Sequence, residues 1–461
     1  MRLYNTLTRK VEEFIPHEEG KVKLYTCGPT VYSYAHVGNM RNYIGHDILD
    51  KTLRYIGYEV KRCMNITDVG HLTSDSDSGE DKMLKAAKKE NKTSMEIAKF
   101  YTDAFFKDFD LLNCRRPEIV SPATENIEEY IKIIQTLLDK GYAYESGGNV
   151  YFDTTKLDDY YALTNHKEDE MVVGVREGVE EDSNKHNQND FVLWFTTSKF
   201  ENHELQWDSP FGRGYPGWHI ECTGISIKYL GEYLDIHGGA VDNIFPHHTN
   251  EIAQSEGYLG HKWCNYWFHN EWLIDETGKI SKSKGADLTI TKLKEQGYNP
   301  LAYRFMCLNS HYKKQLVFSL DLLKSNDETL KKLKNRIQSI TSDNNYSEED
   351  FNKYNDLFKE ALEDNLNTAN ALTVLYDVLK SDIGNDTKLK LIDSFDTVLS
   401  LDLLKVDINK ELEEKVNKLI EERNSYKQEK NYEKADEIRK QIEDLGVQIK
   451  DTREGTKIVW M

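Results

Sequence analysis

The chain has 461 residues, and 79 Asp and Glu against 60 Lys and Arg leave a formal net charge of −19. That balance excludes a protein that grips nucleic acid by bulk electrostatics, since such binding releases counterions through clustered cations; a nucleic-acid partner would have to be held by shape and specific contacts. The length suits two to four domains, and no apolar run reaches the ~20 residues of a membrane helix. Met1-Arg2-Leu3-Tyr4-Asn5-Thr6 lacks the apolar core of a signal peptide. Six scattered cysteines form no disulfide framework, so a reducing cytoplasm is the expected location.

In chain order, Lys23-Leu24-Tyr25-Thr26-Cys27 reads as a short strand entering the turn Gly28-Pro29-Thr30. After His36-Val37-Gly38-Asn39 a helical period begins. Ile44, Ile48, Thr52, Tyr55 and Ile56, at spacings of three and four, predict a helix from near Gly38 to Gly57. A second strand, Glu59 to Ile66, follows at once. The result is a βαβ unit, whose first strand-to-helix junction is where such folds place phosphates. The N–H groups and dipole of a helix start suit a triphosphate; His36 adds a donor, and Gly38, lacking a Cβ, admits close approach. Taken alone, His-x-Gly-Asn fits an ordinary turn as well.

Asn65-Ile66-Thr67-Asp68-Val69-Gly70-His71 falls at the carboxyl end of the second strand, where open parallel sheets meet their ligands. Ser74 to Asp81 reads as a polar loop, Lys82 to Leu112 and Glu125 to Leu138 as helical, and Asn149 to Asp153 as a strand. Lys156 to Asp190 is irregular and acidic, with Glu180-Glu181-Asp182 as a solvated turn. Apolar character returns at Asp190-Phe191-Val192-Leu193-Trp194. The Gly-rich Gly212 to Gly217 leads into Trp218-His219-Ile220-Glu221-Cys222 and a short helix from Cys222 to Leu230. Tyr233 to Ile236 is a strand ending in His237-Gly238-Gly239, a second strand end open to a ligand. Phe245-Pro246-His247-His248-Thr249-Asn250-Glu251 opens another helix, with Pro246 at its start. Residues 115–205 read as an insertion splitting the two halves of one doubly wound sheet. Gly278-Lys279-Ile280-Ser281-Lys282-Ser283-Lys284-Gly285 is a glycine-bounded basic loop. The chain after Leu316 is helical, and Val447 to Trp460 forms a small strand-containing cap with Gly455 at its turn.

Cys27, Cys222, His247 and Glu251 are all acceptable zinc donors, and the last two, four apart at a helix start, share one face. The cysteines fit equally well as small buried hydrophobes, and the His-x-x-x-Glu pair as a surface contact. No Cys-x-x-Cys knuckle is present, and spacing alone leaves the choice open.

Together these segments closely resemble the cysteinyl-tRNA synthetases, class I enzymes that join cysteine to its tRNA. Thr26-Cys27-Gly28-Pro29-Thr30-Val31-Tyr32 with His36-Val37-Gly38-Asn39 is similar to the family's first signature, and Lys279-Ile280-Ser281-Lys282-Ser283 to the second. Gly217-Trp218-His219-Ile220-Glu221-Cys222 and His247-His248-Thr249-Asn250-Glu251 look like its zinc-bearing segments. The resemblance spans the chain and implies that Cys27, Cys222, His247 and Glu251 bind Zn2+. It places His36, Gly38, Asn39, Gly238, Gly239 and Lys282 at ATP, and makes His36, Asn39, Lys279 and Lys282 the catalytic set. Cys27, Thr67, Trp218 and His237 match positions of the amino-acid pocket. Near the end, Tyr432 to Arg439 and Asp451 to Trp460 resemble the anticodon-binding module. Arg439, Asp451 and Arg453 would face base edges there, and Trp460 would serve as a stacking platform or as an anchor of the cap. Two residues depart from the pattern: Asn39 replaces a second histidine, so it donates a hydrogen bond without charge, and Ile280 replaces a methionine, a packing change.

The implied fold is α/β, a Rossmann-type doubly wound parallel sheet split by an insertion, followed by an all-α C-terminal region with a small mixed cap. Residues 1–114 and 206–275 would form the catalytic domain and 115–205 the connective insertion. Residues 276–315 would be the signature loop and stem-contact region, 316–405 a helical bundle and 406–461 the anticodon-binding cap. The implied partners are L-cysteine, ATP with Mg2+ and tRNA(Cys), with no membrane, and a monomer is expected. The cysteine carboxylate would attack the α-phosphate of ATP, and the cysteinyl group would then pass to the 3′ end of the tRNA. Four protein ligands normally close a zinc site, so Glu251, the hardest donor, is the ligand expected to loosen for substrate. Two alternatives share these motifs. A tRNA-independent cysteine ligase of the mycothiol pathway should lack the C-terminal module and the segment around Asp190 to Trp194, and a non-catalytic zinc-containing RNA-binding protein should not retain both ATP signatures.

Overall fold

A computed structural model describes residues 1–69, 82–164, 182–196, 205–275, 278–279, 288–405, 410–452 and 455–460. Five strands make the central sheet: β1 (Lys21–Thr26), β2 (Glu59–Ile66), β3 (Ile119–Pro122), β4 (Leu234–Ala240) and β5 (Cys264–Asn270). They are ordered β5-β4-β1-β2-β3, and every neighbouring pair is parallel. The inner strands are buried on both faces, as a sheet covered on both sides requires. The connections reverse direction between β1 and β4, and the crevice outside those two carboxyl ends is where such sheets take ligands.

Helix α1 (Val37–Tyr55) crosses from β1 to β2 with most of its length buried. Its start is a reciprocal cap. The N-cap His36 accepts the Asn39 N–H through Nδ1 at 3.3 Å, and Asn39 Oδ1 accepts the His36 N–H at 3.1 Å. The helix lies hard against the sheet at Gly45, where a Cβ would come within 1.9 Å of Asn270 Oδ1. Helix α2 (Trp218–Leu230) precedes β4, and α3 (Thr249–Leu259) precedes β5.

Several expectations shift in position. Strand β4 continues to Ala240, so His237-Gly238-Gly239 lie within it rather than beyond it. Helix α2 starts one turn before Cys222, because Gly217 takes an extended backbone and serves as its N-cap. The helical stretch 82–112 is two helices, Lys82–Glu90 and Ser94–Leu111. Asn91 takes a left-handed φ of 54° between them, and Thr93 forms a capping box with Glu96. Strand β3 joins the parallel sheet from within the segment read as the insertion. The remainder of that segment supplies the helix Ile127–Asp139 and strands Ala143–Ser146, Asn149–Phe152 and Phe191–Phe195, which join Tyr215–Pro216 in a separate four-stranded antiparallel sheet.

Helices Leu320–Gln338, Glu348–Glu363, Thr368–Lys380 and Asn385–Leu399 form the bundle. Their apolar faces share one buried cluster with α1, running from Val31 to Leu403. Two further helices, Lys410–Gln428 and Tyr432–Asp444, and the hairpin Val447–Thr452 with Gly455–Trp460 complete the chain around a small core of their own. Gly455 is the first residue of the returning strand and pairs with Thr452.

Candidate active site

A cleft of about 370 Å³ opens at the β1–β4 crevice. His36, Gly38 and Asn39 line it, as do Cys27, Cys222 and His247, with Thr67 and Trp218 also in its wall. The turn after β1 is pinned by Asn65, whose Oδ1 accepts the Gly28 N–H at 2.7 Å. A side chain at residue 28 is excluded, since its Cβ would fall 1.6 Å from the Asn65 carbonyl oxygen. Asn65 Nδ2 also donates to Thr67 Oγ1 at 3.0 Å, and Thr67 donates to Glu221 Oε2 at 2.9 Å. Thr67 is thus held by two buried partners, each from a segment quoted above but neither expected at the site itself. At the helix start, Val37 N–H goes to the Leu288 carbonyl and Asn39 N–H to His36.

The four metal-donor candidates come together although they lie on separate segments. One ligand atom each from Cys27, Cys222, His247 and Glu251 fall within 4.8 Å of one another, all buried. The two sulfurs are 4.0 Å apart, Cys222 Sγ is 3.5 Å from His247 Nε2, and Glu251 Oε1 is 3.0 Å from the same nitrogen. Glu251 Oε1 has no partner in hydrogen-bonding geometry, an arrangement that a cation satisfies and a neutral core does not. Burial pushes both thiols above their ordinary range and lowers His247 to about 3. The imidazole is therefore neutral, as a metal ligand must be, and a bound dication would favour the thiolates. Thiolate, imidazole and carboxylate in a closed group of four fit Zn2+.

Behind the four donors stands a layer of histidines that sequence spacing did not reveal. His237 Nε2 lies 2.7 Å from Glu251 Oε2, and His219 Nδ1 lies 2.8 Å from His247 Nδ1. His248 Nε2 lies 3.2 Å from Cys27 Sγ, and its Nδ1 lies 2.8 Å from His269 Nε2. Cys27, His237, His248 and Glu251 meet the same geometric condition as the first set. His219 and His248 stand in the two segments that resemble zinc-bearing ones, and His237 was expected in the amino-acid pocket; His269 carried no signal in the sequence. His237 is fully buried, stacked 4.7 Å from the Trp267 ring, and holds the carboxylate rather than lining the cleft. Gly238 and Gly239 are also absent from the cleft wall; they give room to His46 and His248.

Lys279 belongs to a two-residue strand paired antiparallel with Ile274 at the edge of the cleft-lining segment, and Lys282 lies outside the described residues. In the C-terminal unit, Asp451 is engaged by Arg423 through two bonds of 2.9 and 2.8 Å and by Lys427 at 2.6 Å. Arg439 Nη2 reaches the Ile449 carbonyl at 3.4 Å. Trp460 pairs with Val447 at the end of the hairpin, and Arg453 lies outside the described residues.

Known proteins resemble this chain over its whole length. Residues 13–328 match the family model for the class I tRNA synthetase (C) catalytic domain, and 409–460 match that for the cysteinyl-tRNA ligase anticodon binding domain. The cysteine–tRNA ligase of Treponema denticola is 46% identical over 491 residues, covering 100% of this chain and 99% of that protein. That of Borrelia garinii subsp. bavariensis is 42% identical over 99% of each. Among solved structures, Mycobacterium tuberculosis methionyl-tRNA synthetase in complex with methionyl-adenylate superposes with a TM-score of 0.56 over 83% of this chain and 90% of that one. At 13% identity this likeness speaks for the fold. With catalytic and anticodon-binding models both matched and relatives aligned from end to end, the chain belongs to the cysteine–tRNA ligase family of class I tRNA synthetases.

Proposed function

We propose that this chain activates L-cysteine with ATP and transfers it to the 3′ end of tRNA(Cys). The observation that carries the reading is one cleft whose wall includes both a thiol-seeking donor cluster and the capped start of α1. An amino acid can thus present its side chain to the first while its carboxylate faces a triphosphate near the second. The carboxylate oxygen attacks the α-phosphorus, the bond to pyrophosphate breaks, and no protein nucleophile is required. A ribose hydroxyl of the terminal adenosine then attacks the adenylate carbonyl and releases AMP.

The protein's part is positioning and charge stabilisation. His36 and Asn39 are fixed by their mutual cap. Asn39 spends its amide oxygen on the His36 N–H, a bond that needs no charge. Lys279 and Lys282 supply positive charge to the phosphates, and Mg2+ accompanies ATP. Cys27, Cys222, His247 and Glu251 hold Zn2+, which when bound favours a thiolate ligand. Shape alone separates near-isosteres by only ~10²-fold, and a free thiol of pKa ~8.5 ionises far more readily than a serine hydroxyl. His237, 2.7 Å from Glu251 Oε2, would orient that carboxylate as a ligand.

Cysteine-dependent ATP–pyrophosphate exchange, followed by charging of tRNA(Cys), tests the function. Exchange with cysteine and little with serine is the expected result; exchange without tRNA charging would favour a tRNA-free ligase. Lys279→Ala and Lys282→Ala should lower the rate of exchange more than they raise KM for cysteine, because charge on the reacting phosphate is felt mainly in the transition state.

A further inference from the structure

We propose that Tyr34 and Phe100 form a stacking platform for the unpaired 3′-terminal bases of the tRNA acceptor end. Both rings are conspicuously outside the core, Tyr34 being 43% and Phe100 42% exposed. Tyr34 lines the cleft two residues before the His36 cap, and Phe100 stands beside it on the helix Ser94–Leu111. The ring centroids are 6.0 Å apart at 70°.

The pair is held from behind. Tyr101, 8% exposed and itself in the cleft wall, packs edge-on at 5.1 Å against each of the two rings. Its hydroxyl donates to Glu90 Oε1 at 2.5 Å, and Glu90 in turn engages Lys92 at 3.0 Å. The Lys92 ammonium sits 4.7 Å from the Phe100 centroid. A buried tyrosine anchored by a carboxylate thus fixes two half-exposed rings inclined at 70° to each other, with the Lys92 ammonium over the Phe100 ring.

The occupant follows from continuity with the cleft. In the aminoacylation proposed above, on which this inference rests, the terminal ribose must enter the cleft, so the bases just before it cross the rim. Those bases are single-stranded, and single strands are held by stacking on aromatic side chains with little need of sequence readout. A chain of net charge −19 cannot rely on bulk attraction for the acceptor end. Stacking supplies affinity without charge, and Lys92 offers a local contact for one phosphate.

The test uses the full-length chain carrying Phe100→Ala, the ring of the pair that stands outside the cleft wall. Cysteine-dependent ATP–pyrophosphate exchange should stay near the wild-type rate, while KM for tRNA in charging rises about tenfold, from ~1–3 kcal/mol per stacked base. Binding to tRNA trimmed of its single-stranded 3′ end supplies the second readout. The unmutated protein should lose affinity on trimming, and Phe100→Ala should lose markedly less. Phe100→Trp, which keeps an aromatic face, should hold KM for tRNA near that of the unmutated protein. An unchanged KM for tRNA, an undiminished difference between intact and trimmed tRNA, or a rise in KM for ATP in place of tRNA would each overturn the platform. Parallel loss of exchange and charging would also overturn it, by assigning the rings to the fold. Absence of exchange in the unmutated chain would instead remove the underlying reading of function.

Discussion

The catalytic body and the C-terminal unit each centre on an arginine clasped by an aspartate, and the two clasps are built at different ranges. In the body, Arg304 is fully buried, lies 2.7 Å from Asp47 Oδ2, and donates to the carbonyls of Leu399, Leu112 and Val398 at 2.6, 3.1 and 3.2 Å. One guanidinium therefore ties α1, the approach to β3 and the last bundle helix, which share a single apolar cluster. In the C-terminal unit, Arg423 and Lys427 grip Asp451, whose side chain is 44% exposed, and the core between Val416 and Ile449 is drawn from adjacent elements. A core assembled from distant segments couples its parts; one assembled locally can be removed. Bundle and sheet should therefore fail together, whereas the C-terminal unit should be separable from the chemistry.

The strongest test of that contrast is deletion of residues 409–460. Charging of tRNA should fall by orders of magnitude while ATP–pyrophosphate exchange remains nearly intact; equal loss of both would show that the unit supports the body. Cys222→Ser probes the body alone. It should abolish stoichiometric zinc by elemental analysis and lower cysteine-dependent exchange by ~10²-fold or more, with the far-ultraviolet circular dichroism spectrum retained. Zinc-free wild-type protein, purified without chelators, would contradict the site.

Asp47→Ala should destabilise the body by ~3–5 kcal/mol in urea, because it leaves the Arg304 charge buried without its partner. Burial raises the Asp47 pKa, but Arg304 and Lys51 outweigh it and hold the carboxyl below its usual range. Its contribution is thus present above an unfolded pKa of ~3.9 and is lost as pH falls through the lower folded value. A change under ~1 kcal/mol would mean that the carbonyls of Leu399, Leu112 and Val398 suffice to hold the Arg304 charge.

The smallest effect is expected for Asp451→Asn. Hydrogen bonds from Arg423 and Lys427 hold this carboxyl well below the usual range, so the sign of the pH dependence is the same. Exposure to solvent reduces the contribution to ~1 kcal/mol or less. Thermal unfolding of the C-terminal unit at neutral pH and near pH 3 should show the difference shrinking in acid. If Asp451→Asn leaves stability unaltered yet weakens tRNA charging, the aspartate acts on the anticodon rather than on Arg423.

Local pattern made much of this legible. The three-and-four spacing after Gly38 marks α1 to within a residue or two at each end, and Glu59 to Ile66 is a strand in both readings, because each depends on neighbours in sequence. Ser/Thr capping chemistry at Thr93 and Glu96 was equally available and divides a stretch that apolar period alone runs together. The extension of β4 to Ala240 was less accessible, since His237-Gly238-Gly239 has no strand propensity and gains its conformation by pairing with β1 and β5 on either side.

Sequence by itself determined the types of donor, the order of the motifs and the class of sheet, for these are written in residue identity and spacing. Tertiary structure alone decided which donors meet. Cys27 follows β1, Cys222 lies on α2, and His247 and Glu251 flank the start of α3, so it is the closure of β4 against β1 that brings their donor atoms within 4.8 Å of one another. The same closure sets His219, His237, His248 and His269 beside them, a layer drawn from four separate segments, so that no single spacing betrays it. Buried polar groups must find partners across elements, and which partners are within reach is a property of packing.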